Sequence, residues 1–179
     1  MFGWGKRKRE MQIVEDVCER IRPQLMILER QLGDYPRALA DDPFVIGYIV
    51  AASTIFCHIE TNGKASREMI GLASLAALRV MFAPFGFTTE QASAAMHAHA
   101  QAPAAKQGAR AADLIIGVAA GKTDRAHEPE IVEAKTTVAT MSDAVREASG
   151  PTSARGLLLQ VLTDQMLYAP LGKYKRFPD

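Results

Sequence analysis

A chain of 179 residues is long enough for one domain with a sizeable hydrophobic core. Hydrophobic residues make up 48% of it and charged residues 23%, which excludes a chain that is disordered throughout. The formal net charge of +1 gives no strong field that would select nucleic acid or a membrane for the whole chain. Alanine is abundant, and Val, Ile, Thr and the aromatic residues are too scattered to build a sheet, so we expect an all-α protein.

The first helix is predicted to begin at about Lys8. Its apolar residues recur every three or four positions, which is typical of one buried face of a helix, at Ile13, Val17, Ile21, Leu25, Leu28 and Leu32. The pattern continues past Pro23, which predicts a kink rather than an end. Residues 1–7 before it form a basic and aromatic segment that we expect to be mobile, because its two glycines disfavour a helical turn.

Capping residues and helix breakers divide the remaining chain into further helices. Asp42-Pro43 suits the first positions of helix two, and Asn62-Gly63 ends it. Short connections favour antiparallel neighbours, so we predict a single-domain bundle of six or seven helices over residues 8–170, with a tail over residues 171–179. The later helices are predicted over residues 66–82, 89–101, 103–121, 129–148 and 153–168.

Cys18 and Cys57 both lie among apolar residues within predicted helices. That placement is typical of small buried thiols, and without a recognisable signal peptide it predicts a reducing, cytoplasmic location. Residues 43–59 carry no formal charge, and their length is at the lower limit for crossing a bilayer. Gly47 and His58 lie within this stretch, which favours a helix buried by its own domain.

The string Gly117-Val-Ala-Ala-Gly121-Lys122-Thr123 partly matches the pattern of a phosphate-binding loop. Only three residues separate its glycines, whereas that loop needs four. The string also ends a predicted helix, where the helix dipole repels anions, instead of opening one. We therefore interpret Gly121 as a helix C-cap and predict no nucleotide site here.

Histidines are the other residues that suggest chemistry. His97 and His99 are two positions apart on a predicted helix, so their side chains diverge by about 200° and cannot share a metal. The chain contains no Glu-x-x-His pair, which argues against a di-iron site within a bundle. We therefore predict no metal and no cofactor, and we favour a protein that is not an enzyme.

Helices two and three are predicted to form an antiparallel hairpin, because only residues 61–65 connect them. Arg79 lies where the third helix is apolar on all sides, and a buried charge needs a partner. The hairpin would bring Arg79 near the start of helix two, so we predict an ion pair with Asp41 or Asp42.

A candidate ligand site lies between these two helices, at Tyr48, His58 and Glu68. His58 is the only side chain of residues 43–59 whose ordinary pKa lies near neutral pH, and the predicted hairpin places it within reach of Glu68 or of the last carbonyls of helix two. Placement near the end of its helix also suits a histidine with no function, held by the helix dipole.

Two classes of function remain open. The first is a non-enzymatic helical interaction or regulatory protein of unknown partner, and we expect a homodimer because two apolar helices need more cover than the chain provides. The second is a small-ligand-binding protein or an enzyme with its site near His58.

The N-terminus adds a basic segment around the only tryptophan. The pattern suits weak contact with an anionic membrane or with nucleic acid phosphates, and it also suits a solubilising terminus whose tryptophan packs on the body. The residues concerned are Phe2, Trp4, Lys6, Arg7, Lys8 and Arg9.

Overall fold

The computed structural model describes residues 3–32, 37–122, 124–141, 143–148 and 153–174. These residues are mostly helical and include no strand, so the predicted all-α multi-helical bundle is confirmed. The helices are α1 (Gly3–Leu32), α2 (Pro43–Glu60), α3 (Arg67–Phe82), α4 (Thr89–His99), α5 (Pro103–Ala119), α6 (Pro129–Thr140), α7 (Asp143–Ala148) and α8 (Ala154–Thr163). Short 3-10 turns precede α2 at Arg37–Asp41 and follow α3 at Ala83–Phe85.

The chain forms two compact units. The first contains the chain up to Ala112 together with Tyr174, and the second contains residues 113–173. The division falls within α5 and inside the range 8–170 that the sequence predicts as one domain, so the predicted boundaries do not anticipate it.

Helix α1 begins earlier than the sequence predicts. It starts at Gly3 rather than at Lys8, and it continues through Pro23 as predicted. A glycine within a helix costs only about 1 kcal/mol, a penalty that the long helix after it can offset. Among the side chains of residues 7–24, the buried ones include Ile13, Val17 and Ile21, which confirms the start of the predicted apolar face. The side chains of residues 25–32 lie outside the described residues.

The start of α2 is capped as predicted. The Oδ1 atom of Asp42 accepts hydrogen bonds from the backbone N–H groups of Phe44 (2.8 Å) and Val45 (3.4 Å), with Pro43 at the first helical position. The hydroxyl of Tyr174 donates to the other carboxylate oxygen at 2.6 Å. Tyr174 belongs to the predicted tail, yet it is tied to the first turn of α2.

Helices α2 and α5 approach each other so closely that their backbones are in contact. A Cβ atom at Gly47 would lie 2.0 Å from the carbonyl oxygen of Ala105. A Cβ atom at Gly108 would lie 1.9 Å from the carbonyl oxygen of Phe44. No side chain fits at either position, so glycine is what allows these two helices to pack.

Helix α1 packs against both α2 and α3, and α2 packs against α3, which confirms the predicted contact between helices two and three. Arg20 of α1 forms an ion pair with Glu60 near the end of α2 (2.5 Å). Further along α1, Gln24 accepts a hydrogen bond from Tyr48 near the start of α2. The two contacts run in opposite order along the helices, so α1 and α2 are antiparallel.

In the second unit, α6 packs against α8 through buried Ile131, Ala134 and Leu162. The single helix predicted over residues 129–148 is wrong, because α6 ends at Thr140 and α7 begins only at Asp143. Threonines crowd the end of α6, where their branched side chains and hydroxyls lower helix propensity. After α8 the chain continues through a π-helical turn at Asp164–Tyr168, and helical turns extend to Tyr174.

Among the described residues, two stretches are long and apolar enough to cross a membrane, judged by length and composition alone. They are Pro43–Glu60, with a mean hydropathy of 1.5, and Arg67–Phe85, with 1.4. Within the protein, 56% of the first stretch is buried but only 33% of the second. Helix α2 therefore buries more than half of its residues, whereas α3, which is almost as apolar, leaves most of its own at least partly exposed.

Candidate functional site

The three residues of the predicted ligand site lie in different environments. Tyr48 is fully buried, and its hydroxyl donates a hydrogen bond to Gln24 of α1. His58 is exposed in the last turn of α2, and Glu68 is exposed in the first turn of α3. Along a helix, the ten positions from residue 48 to residue 58 correspond to about 15 Å, so Tyr48 and His58 do not meet.

The predicted contact between His58 and Glu68 is absent. Neither side chain has a hydrogen bond or an ion pair with any residue in the described part of the chain. Instead the backbone carbonyl of His58 accepts from Gly63 N–H at 2.7 Å, a bond that closes the C-terminus of α2. That Tyr48, His58 and Glu68 bind a ligand stays a prediction.

The predicted ion pair of Arg79 is wrong. Asp41 contacts His99 of α4 instead, with 3.0 Å between the imidazole Nε2 and the carboxylate. Asp42 caps α2 and accepts from Tyr174. Arg79 is exposed and pairs with no described residue, because it lies on the outer side of α3 and not against the start of α2.

The cysteines offer no reactive thiol. Burial, with a smaller contribution from the neighbouring Cys18, raises the pKa of the Cys57 thiol to about 11. Burial also raises the pKa of Cys18, and the carboxylates of Glu19 and Glu15 add to that effect. Both thiols are therefore protonated at neutral pH and are poor nucleophiles and poor metal ligands. No group of three or more His, Cys, Asp or Glu residues that could hold a metal occurs among the described residues.

The outer face of α3, formed by Glu68, Leu72, Leu75 and Arg79, is the most prominent exposed apolar surface that this helix provides, and Val80 is exposed at its edge. Leu72 is 48% exposed and Val80 is 47% exposed, while Leu75 is half-buried. Eleven positions make just over three full turns, so Glu68 and Arg79 lie on the same side of the helix, roughly 16 Å apart. On this face, Leu72 and Leu75 therefore lie between the negative charge of Glu68 and the positive charge of Arg79.

A cavity of about 400 Å³ in the first unit lies between the turn Arg37–Asp41 and helix α4. Phe87 and the alanines of α4 supply most of its wall. Its two charged lining residues, Arg37 and Asp41, have opposite signs, and Asp41 already contacts His99. The charged residues of this cavity therefore favour neither an anionic nor a cationic ligand.

A cavity of about 240 Å³ in the second unit has a different character. Three of its lining residues are cations and none is acidic. The cations are Lys122 after α5, Lys135 on α6 and Arg155 on α8. The rest of its wall is apolar or small, with side chains and backbone from Val118, Gly121, Ala126, Ile131 and Leu158.

The sequence does not predict this second cavity. Its cations come from three separate elements, and nothing in the linear order links them. In the sequence, Lys122 stands out only as part of the string that fails the phosphate-binding pattern, and the interpretation of Gly121 as a helix C-cap is confirmed. Gly121 has a φ angle of +75°, and its N–H bonds the carbonyl of Val118 at 3.0 Å.

Comparison with known proteins adds no information on function. No family model, no curated protein and no solved structure matches the chain.

Proposed function

We propose that this protein is a non-enzymatic helical interaction protein that forms a homodimer through the outer face of α3. The observation that carries the proposal is the exposure of Leu72, with Val80 exposed at the edge of the same face, on a helix apolar enough for a protein core. Large exposed apolar surfaces on folded proteins commonly mark interaction sites, because water favours their burial.

A second copy of the chain is the partner that this face fits best. When two α3 helices pack antiparallel, Glu68 of each copy lies opposite Arg79 of the other, and Leu72 lies opposite Leu75. Both ion pairs form at once, because a two-fold axis makes every contact occur twice. The apolar residues lie at the centre of this arrangement and the charges at its rim, which is the usual anatomy of an interface.

The same charges argue against a bilayer as the partner. Burying Glu68 and Arg79 in hydrocarbon would cost several kcal/mol, whereas in a protein interface they neutralise each other. The two free cysteines support a reducing, cytoplasmic location for such a dimer.

A charge exchange tests the proposed dimer. Glu68→Arg or Arg79→Glu alone places like charges opposite each other, and we expect the dissociation constant to rise about tenfold, measured by sedimentation velocity. The double variant Glu68→Arg/Arg79→Glu restores both pairs, and we expect affinity near that of the wild type. A wild-type monomer at tens of micromolar would overturn the proposal, as would a double variant weaker than both single variants.

The apolar contribution has a matched control elsewhere in the chain. Leu72 is 48% exposed on α3, and Val132 is 47% exposed on α6. We expect Leu72→Lys to abolish the dimer and Val132→Lys to leave it unchanged, with both variants keeping the wild-type circular dichroism spectrum. If both substitutions weakened association equally, the outer face of α3 would not be the interface. If instead Leu72→Lys removed binding to phosphatidylcholine vesicles from a wild-type monomer, the face would be a membrane contact and the dimer would be excluded.

A further inference from the structure

The cationic cavity of the second unit is independent of the proposed dimer face on α3. Its walls come from the end of α5, the segment after it, and helices α6 and α8. A volume of about 240 Å³ is below the range of roughly 300–1,000 Å³ that holds drug-sized ligands. The cavity therefore suits a small molecule.

The cations around the cavity are not neutralised by the protein. The side chains of Lys122 and Arg155 have no ion pair and no hydrogen bond with any residue in the described ranges. Lys135 donates one hydrogen bond, from its Nζ to the backbone carbonyl of Ala126 at 3.3 Å, which fixes the ammonium group beside the cavity without cancelling its charge. Three positive charges around one small opening repel each other and attract an anion.

Local structure holds two of these cations in place. The stem of Lys122 folds back over the helix end, where a Cβ at Gly117 would lie 4.0 Å from the Cδ atom of the lysine. A Cβ at Gly121 would lie 2.9 Å from the Nη1 atom of Arg155, so the absence of a side chain at Gly121 leaves room for the guanidinium. Arg155 lies in the first turn of α8, whose N-cap Ser153 accepts from Gly156 N–H at 3.0 Å.

Binding in this cavity would depend on side chains and not on a backbone cradle. The N–H of Lys122 bonds the carbonyl of Gly117 at 2.9 Å, and the N–H of Gly121 bonds that of Val118. Both amides are occupied by the helix cap, so they are not free to hold phosphate oxygens as a phosphate-binding loop does. Arginine and lysine side chains supply the donors instead.

We infer that this cavity binds a small organic dianion, a phosphate ester or a dicarboxylate, whose charged end contacts Lys122, Lys135 and Arg155 and whose short apolar end contacts Leu158 and Ile131. The two anion classes share this chemistry, because each presents several oxygen acceptors with two negative charges. Ile131 is buried at 3% exposure and Leu158 is half-buried, so the apolar wall is already formed.

Titration calorimetry of the full chain at low ionic strength tests the site with defined probes. Phenyl phosphate and phenylmalonate represent the two anion classes, inorganic phosphate represents charge alone, and phenol represents the apolar part alone. We expect at least one of the two phenyl dianions to bind more tightly than both inorganic phosphate and phenol, and added salt to weaken it. The tighter of the two identifies the anion class. Phenol binding as tightly as the dianions, or neither dianion binding at millimolar concentration, would overturn the inference.

Variants place the binding in this cavity. We expect Arg155→Gln and Lys122→Gln each to weaken the phenyl dianion about fivefold, as loss of a partly exposed charged donor should. Leu158→Ala should weaken the phenyl dianions but leave inorganic phosphate unchanged. Lys64 is exposed in the first unit, and its side chain has no hydrogen bond or ion pair with a described residue, so Lys64→Gln is the matched control and should bind as the wild type does. Equal losses in Lys64→Gln and Arg155→Gln would show attraction to the whole chain and would overturn the site.

Discussion

Helices α2 and α3 have nearly the same hydropathy, yet they are buried to different extents. The window on α2 averages 1.5 and that on α3 averages 1.4, but 56% of the first is buried against 33% of the second. Composition therefore sets how much apolar surface a helix has to bury, and the neighbouring helices decide how much of it is buried. The difference between the two helices is what leaves an apolar face for a partner.

The cause of the difference is the approach of α5. Gly47 of α2 and Gly108 of α5 remove the side chains that would keep the two backbones apart. On α3, by contrast, a Cβ at Gly71 would have no atom within 4 Å. One helix uses a glycine for close packing, while the glycine on the other faces open space.

Alanine substitution at these glycines should give the largest effects. Gly108→Ala forces a methyl group into the backbone of α2, and we expect it to lower the free energy of unfolding by about 3 kcal/mol or more. Gly71→Ala gains helix propensity in open space, and we expect it to raise that free energy by about 0.5–1 kcal/mol. Urea denaturation at low protein concentration measures both. A stable Gly108→Ala variant would mean that α2 and α5 are not in backbone contact.

Substitution of two buried serines, one on α2 and one on α3, should change stability by less than Gly108→Ala does. Ser53 of α2 and Ser74 of α3 are both fully buried. The Ser74 hydroxyl donates to the carbonyl of Ile70 at 2.9 Å, whereas the Ser53 hydroxyl has no hydrogen-bond partner among the described residues. A buried polar group without a partner costs about 1–3 kcal/mol, so Ser53→Ala should stabilise the protein by about 1 kcal/mol. Ser74→Ala should leave stability unchanged or lower it slightly, as thermal unfolding at one pH will show.

Local rules made most of the fold predictable. Two features depend on neighbouring residues alone, and both occur as predicted: Asp42-Pro43 caps α2, and Gly121 ends α5. The errors arise where local rules compete. The predicted helix over residues 129–148 was inferred from its apolar spacing, but Val145 is 47% exposed and the helix is broken before it.

The site was less predictable because it depends on tertiary contacts. The predicted pair of Arg79 with Asp41 or Asp42 assumed that a charge on an apolar helix must be buried, whereas the outer side of α3 is open. The cationic cavity joins residues from three elements, and no spacing in the sequence brings Lys122 near Arg155. Neither the exposure of a helix face nor the closure of a cavity is encoded by any one segment.

The smallest expected effect concerns the N-terminal residues. If residues 1–9 helped to cover α2 or α3, removing them would change the difference in burial between those two helices. Among the described side chains of α1, which begin at Arg7, the first buried one is Ile13, and Arg7, Lys8 and Arg9 are exposed. We therefore expect deletion of residues 1–9 to change the free energy of unfolding by less than about 0.5 kcal/mol.

The same deletion separates stability from surface binding. Three exposed cations beside the only tryptophan suit an anionic surface, where each basic residue contributes about 1 kcal/mol. We expect the full chain to bind phosphatidylserine vesicles weakly, with a blue shift of Trp4 fluorescence that salt at about 0.5 M reverses, and the deleted chain not to bind. A shift that persists in high salt would indicate apolar insertion instead of charge attraction. If the deleted chain had a much lower melting temperature than the full chain, Trp4 would pack into the fold. Removing residues that make no buried contacts would not destabilise the protein to that extent.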